Sequence, residues 1–127
     1  MEELEEEINR LAALIDAPKH LLPTFGYSND FARPHVELKS RGKKFHLVIV
    51  ERGQERERWK TADKKEFLFW IFESVTASMA DKLELQNRIE GEDSRIQSFR
   101  IREELIGVID PDYRERLEVK HRKLLGR

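Results

Sequence analysis

Apolar residues recur every three or four positions at the start of the chain. Leu4, Ile8, Leu11 and Ile15 fall on one face of a helix predicted from Glu2 to Ile15. Its other positions are mostly acidic, and glutamates in a first turn suit the positive end of the helix dipole. Pro18 and Pro23 end the helical option, and residues 24–34 read as an irregular loop holding Phe25, Tyr27 and Phe31. The period then changes to two. Val36 and Leu38 share one face of a strand, and Phe45, Leu47 and Ile49 share one face of the next. A two-residue turn at Gly42 and Lys43 would set Leu38 opposite Leu47 and Val36 opposite Ile49, with both apolar sets on one side. Gly53 marks another turn. Residues 54–60 read as a charged edge strand that separates Glu55, Glu57 and Trp59 from Arg56, Arg58 and Lys60. Which of these sets faces the core depends on the turn length.

The second half has a helical period. Asp63 with Glu66 three residues on reads as a capping box before an apolar run. Leu68, Phe72, Val75, Met79 and Leu83 form one stripe, widened by Phe67, Trp70 and Ile71, so this helix is expected to lie centrally against the sheet. Gly91 interrupts it, and Asp93 or Ser94 can cap a helix carrying Ile96, Phe99, Ile101, Leu105 and Ile109. Asp110 followed by Pro111 opens a last helix through Leu117 and Leu124. The expected fold is α+β in one domain over residues 1–127: an N-terminal helix, a three-stranded antiparallel meander, then three C-terminal helices packed on the sheet.

Composition narrows the function classes. The 127 residues hold 24 Lys and Arg against 25 Asp and Glu, a net charge of −1, which weakens whole-molecule steering toward nucleic acid. No cysteine excludes disulfides and thiol chemistry. The acidic start opposes a signal peptide, and the longest apolar run, Phe67 to Phe72, is far short of the roughly 18 residues a membrane span needs. A soluble, cytoplasmic protein is expected. The six glycines form no phosphate-binding motif, the four histidines have no metal-ligand spacing, and no serine sits in a nucleophile motif. Glu and Lys or Arg in the last helix, as Glu118 with Arg122 and Glu115 near Lys120, read as a solvated face. No catalytic residues, metal ligands or cofactor are therefore assigned, and the chain does not read as an enzyme.

Local charge is less even than the total. Residues 1–16 carry net −5 and residues 111–127 net +3, so the two ends could complement one another, or the acidic helix could face a basic partner. Arg56, Arg58 and Lys60 beside Trp59, with the basic last helix, give an alternative reading as a small nucleic-acid-binding or regulatory module. The densest polar junction runs from Asn87 to Arg95. Helix ending and capping account for Gly91 and Asp93 but not for Arg88, Glu90 and Arg95.

Several of these stretches carry a resemblance. Glu51-Arg52-Gly53, Trp70 to Thr76 with Ser78-Met79-Ala80, Glu84-Leu85, and Asn87-Arg88-Ile89-Glu90-Gly91 with Asp93-Ser94-Arg95 resemble the immunity protein 63 family over roughly residues 34–118. Around Ala77 and Leu83 that family's pattern has bulkier aromatics. The resemblance implies a small bacterial protein encoded beside a polymorphic toxin, an arsenal used between competing cells. It implies binding of the cognate toxin's C-terminal domain in the cytoplasm, blocking it by stoichiometric contact, with no catalytic or metal residue. Glu51, Arg52, Glu90, Asp93 and Arg95 match its polar positions and are the candidate contact residues. Tyr27 and Asp30, with the acidic first helix, lie outside it and are the competing candidates. A homodimer through apolar residues of the last two helices stays open.

Overall fold

A computed structural model of the chain describes residues 1–28, 33–39 and 43–126. Helix α1 (Glu2–Leu14) buries Leu4, Ile8, Leu11 and Ala12, the face its apolar period marks. It stops where Asp16 adopts a left-handed backbone, φ 52°. A single 3-10 turn (Lys19–Leu21) then leads into a four-stranded sheet of order β1-β2-β3-β4: β1 (Thr24–Phe25), β2 (His35–Lys39), β3 (Lys44–Glu51) and β4 (Gln54–Thr61). The meander therefore has one strand more than its periodicity announces. Strand β1 runs parallel to β2, because Thr24 N–H donates to Pro34 C=O at 3.0 Å and Gly26 N–H to Val36 C=O at 2.8 Å. Asp30 falls outside the described residues.

Register also departs from expectation. Val36 lies opposite Leu47 and Leu38 opposite Phe45, two residues from the anticipated pairing. Lys39 pairs with Lys44, so the connection holds four residues rather than two. A shift by an even number preserves the faces, which is why the apolar side is still the correct one. Between β3 and β4 the turn is tight: Glu51 pairs with Gln54, and Arg52 and Gly53 both have positive φ, 53° and 73°. That is the mirror-image turn whose twist suits antiparallel strands. Further along, Ile49 faces Glu57 but Val50 faces Glu55, leaving Arg56 as a bulge. The bulge carries Glu55 to the face of Arg58 and overturns the simple alternation expected for this strand.

Helix α2 (Lys64–Gln86) lies between the sheet and the other helices, and its stretch from Phe67 to Phe72 is apolar all round for that reason. Phe67 stacks on Phe45 of β3 at 5.2 Å, while Phe69 meets Tyr113 of the last helix at 5.4 Å. Asp63 caps α2 by accepting from Lys65 and Glu66 N–H at 2.9 and 3.3 Å. Glu66 does not complete a capping box, because its carboxylate accepts from Trp70 Nε1–H at 2.8 Å and from Arg116. Helices α3 (Ser94–Ile109) and α4 (Pro111–Leu124) begin at the capping residues Asp93 and Asp110. They pack on α2 and on each other, so α2 is the helix that joins them to the sheet. Leu83 and Leu124, placed inside by periodicity, are 38% and 58% exposed.

Candidate functional site

The residues singled out from sequence fall in three places. Glu51 and Arg52 form the tip of the β3–β4 hairpin, and Glu51 reaches Arg56 at 3.9 Å across the turn. Glu90, Asp93 and Arg95 lie in the α2–α3 junction. There Asp93 accepts from Arg95 N–H at 2.9 Å and from its guanidinium at 3.2 Å, so capping accounts for both residues. Arg88 pairs through two hydrogen bonds, each 2.9 Å, with Glu84, whose carboxylate is buried. The junction is thus largely tied into its own helices. Tyr27, 63% exposed, borders a groove with Glu5 and Asn9 of α1, Phe25 and Arg33. The acidic helix and the tyrosine loop therefore meet, which sequence distance hid.

Among the described residues the two charged ends do not pair with one another. Arg116 and Lys120 of α4 pair with Glu66 and Glu73 of α2, and Glu7 of α1 pairs with Lys64. Both ends tie to the central helix instead, and Glu118 pairs with Arg114 at 3.6 Å rather than with Arg122. Glu2, Glu3, Glu5 and Glu6 make no ion pair among the described residues, so α1 presents an acidic outer face.

The face of the sheet turned away from α2 holds a charge network that spacing along the chain did not reveal. Glu37 of β2 accepts from His35 Nε2 at 2.7 Å, from Lys39 at 2.9 Å and from Arg58 at 3.2 Å. Arg58 also donates to Glu55 at 2.6 Å, the contact that the Arg56 bulge makes available. These donors, His35 foremost, hold the Glu37 carboxyl down at about 2. Arg58 Nη1 lies 2.7 Å from His46 Nδ1. Guanidinium has only donors, so His46 must offer a lone pair there and be neutral. Burial, and then the cations Arg58, Lys39 and Lys60, push its pKa below the ordinary value. The Nδ1 of His35 is buried without a hydrogen-bond partner. Arg58 is consequently engaged on every side, and the basic edge proposed for nucleic acid loses its central cation.

On the α2 side of β4 the chemistry is apolar. A cavity of about 80 Å3 opens between Ile49, Glu57 and Trp59 of the sheet and Trp70, Ser74 and Val75 of α2. Trp59 is 48% exposed and meets Trp70 edge-to-face at 5.8 Å. Among the described residues, no group of three or more His, Asp or Glu is arranged to hold a metal ion, and no helix is long and apolar enough to cross a membrane.

With this geometry in hand, the family model for Immunity protein 63 matches residues 41–123. The chain belongs to the immunity protein 63 family. Comparison with curated proteins and with solved structures finds no match. The immunity protein 63 region covers β3, β4, α2, α3 and nearly all of α4, starting later and ending further on than the sequence resemblance suggested. It includes Glu51, Arg52, Trp59, Glu90, Asp93 and Arg95, and leaves α1, β1, β2 and Tyr27 outside.

Proposed function

We propose that this protein binds the C-terminal domain of a cognate bacterial polymorphic toxin one to one in the cytoplasm, and neutralises it by contact rather than by catalysis. Membership of an immunity family over residues 41–123 is the observation that carries the reading. The physics required is modest. An interface burying about 1,600 Å2 in total, anchored by a few aromatic or arginine side chains, suffices for tight inhibition. Exposed Trp59 and Tyr27 are anchors of that kind, and uneven local charge speeds capture of a complementary partner. Glu51 and Arg52, displayed on a hairpin tip, are assigned to the contact surface. Asp93 and Arg95 are assigned mainly to capping α3, and Glu90, exposed like them, is assigned to the contact surface.

The test is co-expression. Cells producing the toxin domain encoded beside this chain's gene should stop growing, and growth should return when this protein is made with it. The purified pair should also elute as a complex. Persistent toxicity together with separate elution would remove the proposal.

A further inference from the structure

Strand β4 is a free edge. It pairs with β3 alone, so alternate residues turn their backbone N–H and C=O away from the sheet, unpaired by any described strand. The bulge at Arg56 distorts the edge near the hairpin tip, but Glu57 to Thr61 pair regularly with Ile49 to Phe45. This straight five-residue stretch carries three side chains with unmet chemistry. Trp59 is half exposed over the open cavity, and its indole N–H donates to no described group. Glu57, at the cavity rim on the same face, has no ion pair among the described residues, and neither does Lys60 on the opposite face. An apolar hollow, one unpaired carboxylate and one unpaired ammonium are thus displayed along a single backbone template.

We infer that an extended segment of the toxin domain adds to the β4 edge as a fifth strand, placing an apolar side chain against Trp59 and into the Trp59–Trp70 cavity. This rests on the toxin-binding reading above. Backbone pairing would supply attraction, and side chains at fixed offsets would supply selectivity. Residues directly opposite one another share a face, so the added strand carries a basic residue beside Glu57, an apolar one beside Trp59 and an acidic one beside Lys60. Read parallel to β4 the segment is basic, any residue, apolar, acidic; read antiparallel the order reverses. The cavity, at about 80 Å3, suits one branched aliphatic or methionine side chain. The charges that hinder indiscriminate edge pairing thereby select the partner.

The experiment uses the full chain and the neighbouring toxin domain carrying an inactivating substitution. Affinity is measured by calorimetry, and amide hydrogen exchange is followed with and without the toxin domain. Trp59→Ala should weaken binding about 30-fold or more, the scale of an aromatic hot spot. Glu57→Lys should weaken it about 10-fold, and outward amides between Glu57 and Thr61 should gain protection in the complex. Both positions are exposed, and circular dichroism of each variant is the check on its folding. If wild-type protein binds tightly while both variants bind as well and β4 gains no protection, this inference fails and the toxin-binding reading survives. No binding by the wild-type protein overturns both. A wild-type homodimer that Trp59→Ala dissolves would overturn it in another way, making a second copy of the chain the occupant.

Discussion

Phe72→Ala is expected to lower stability by about 3–5 kcal/mol, the range for emptying an aromatic site in a packed core. Phe72 is fully buried in the middle of α2, where the helix has sheet on one side and helices on the other. In a chain of this size such a loss lowers Tm by roughly 10–20 °C. Leu83 lies three turns later on what reads as the same apolar stripe, yet it is 38% exposed. Leu83→Ala should cost less than about 1 kcal/mol. Urea unfolding of the two variants measures the contrast. Equal losses would mean that α2 is not enclosed as described, and that its C-terminal half is as buried as its centre.

Arg58→Ala should be the most damaging single change on the outer face of the sheet. It strips the cation from Glu37 and Glu55 and the donor from His46 at once. A fully buried network would lose 3–5 kcal/mol on such a deletion, but this one is partly open to solvent, so about 1–3 kcal/mol is expected at pH 7. The network also sets a pH dependence. The ordinary value for Glu37 is 4.5 and its folded value about 2, so its contribution is complete above 4.5 and is lost as pH falls toward 2. For His46 the folded pKa is depressed as well. The unfolded chain takes up the proton first, and stability begins to fall as pH drops through 6.5. Both groups act in the same direction, toward acid lability. Urea midpoints at pH 7, 5.5 and 3.5 should decline steadily in the wild-type protein and more shallowly in Arg58→Ala. A wild-type midpoint that does not change between pH 7 and 3.5 would show that Glu37 and His46 are not held in these states.

What could be seen in the sequence was whatever depends on neighbours along the chain. The apolar face of α1, the caps Asp63, Asp93 and Asp110, Pro111 at a first turn and the hairpin at Gly53 all follow from local chemistry, and each is present. Strand β1 was hidden because two residues, Thr24 and Phe25, have no period of their own and become a strand only by pairing with β2. The β2–β3 register lies two residues from the one the pattern suggests, because alternation fixes which face is apolar but is blind to an even shift. The Arg56 bulge left no signature among alternating charges, and with it went the Glu55–Arg58 contact. Charge pairing failed most widely, since Glu37 with Arg58, Glu66 with Arg116 and Glu73 with Lys120 are 21, 50 and 47 residues apart. Of the candidate surface, Glu51 and Arg52 were legible as a polar hairpin tip. The Trp59–Trp70 cavity was not, because Trp59 and Trp70 belong to different periodic patterns that only the fold superimposes.

The proposed inhibition by stoichiometric contact can be tested by titrating the activity of the toxin domain. A fixed amount of the neighbouring toxin domain is mixed with rising amounts of this protein, and residual activity is read at equilibrium. Activity should fall linearly and reach zero at one molar equivalent, unchanged by longer incubation, with intact toxin recovered after denaturation. Complete loss of activity at a small fraction of an equivalent, progressing with time, would instead reveal catalytic modification of the toxin and contradict it.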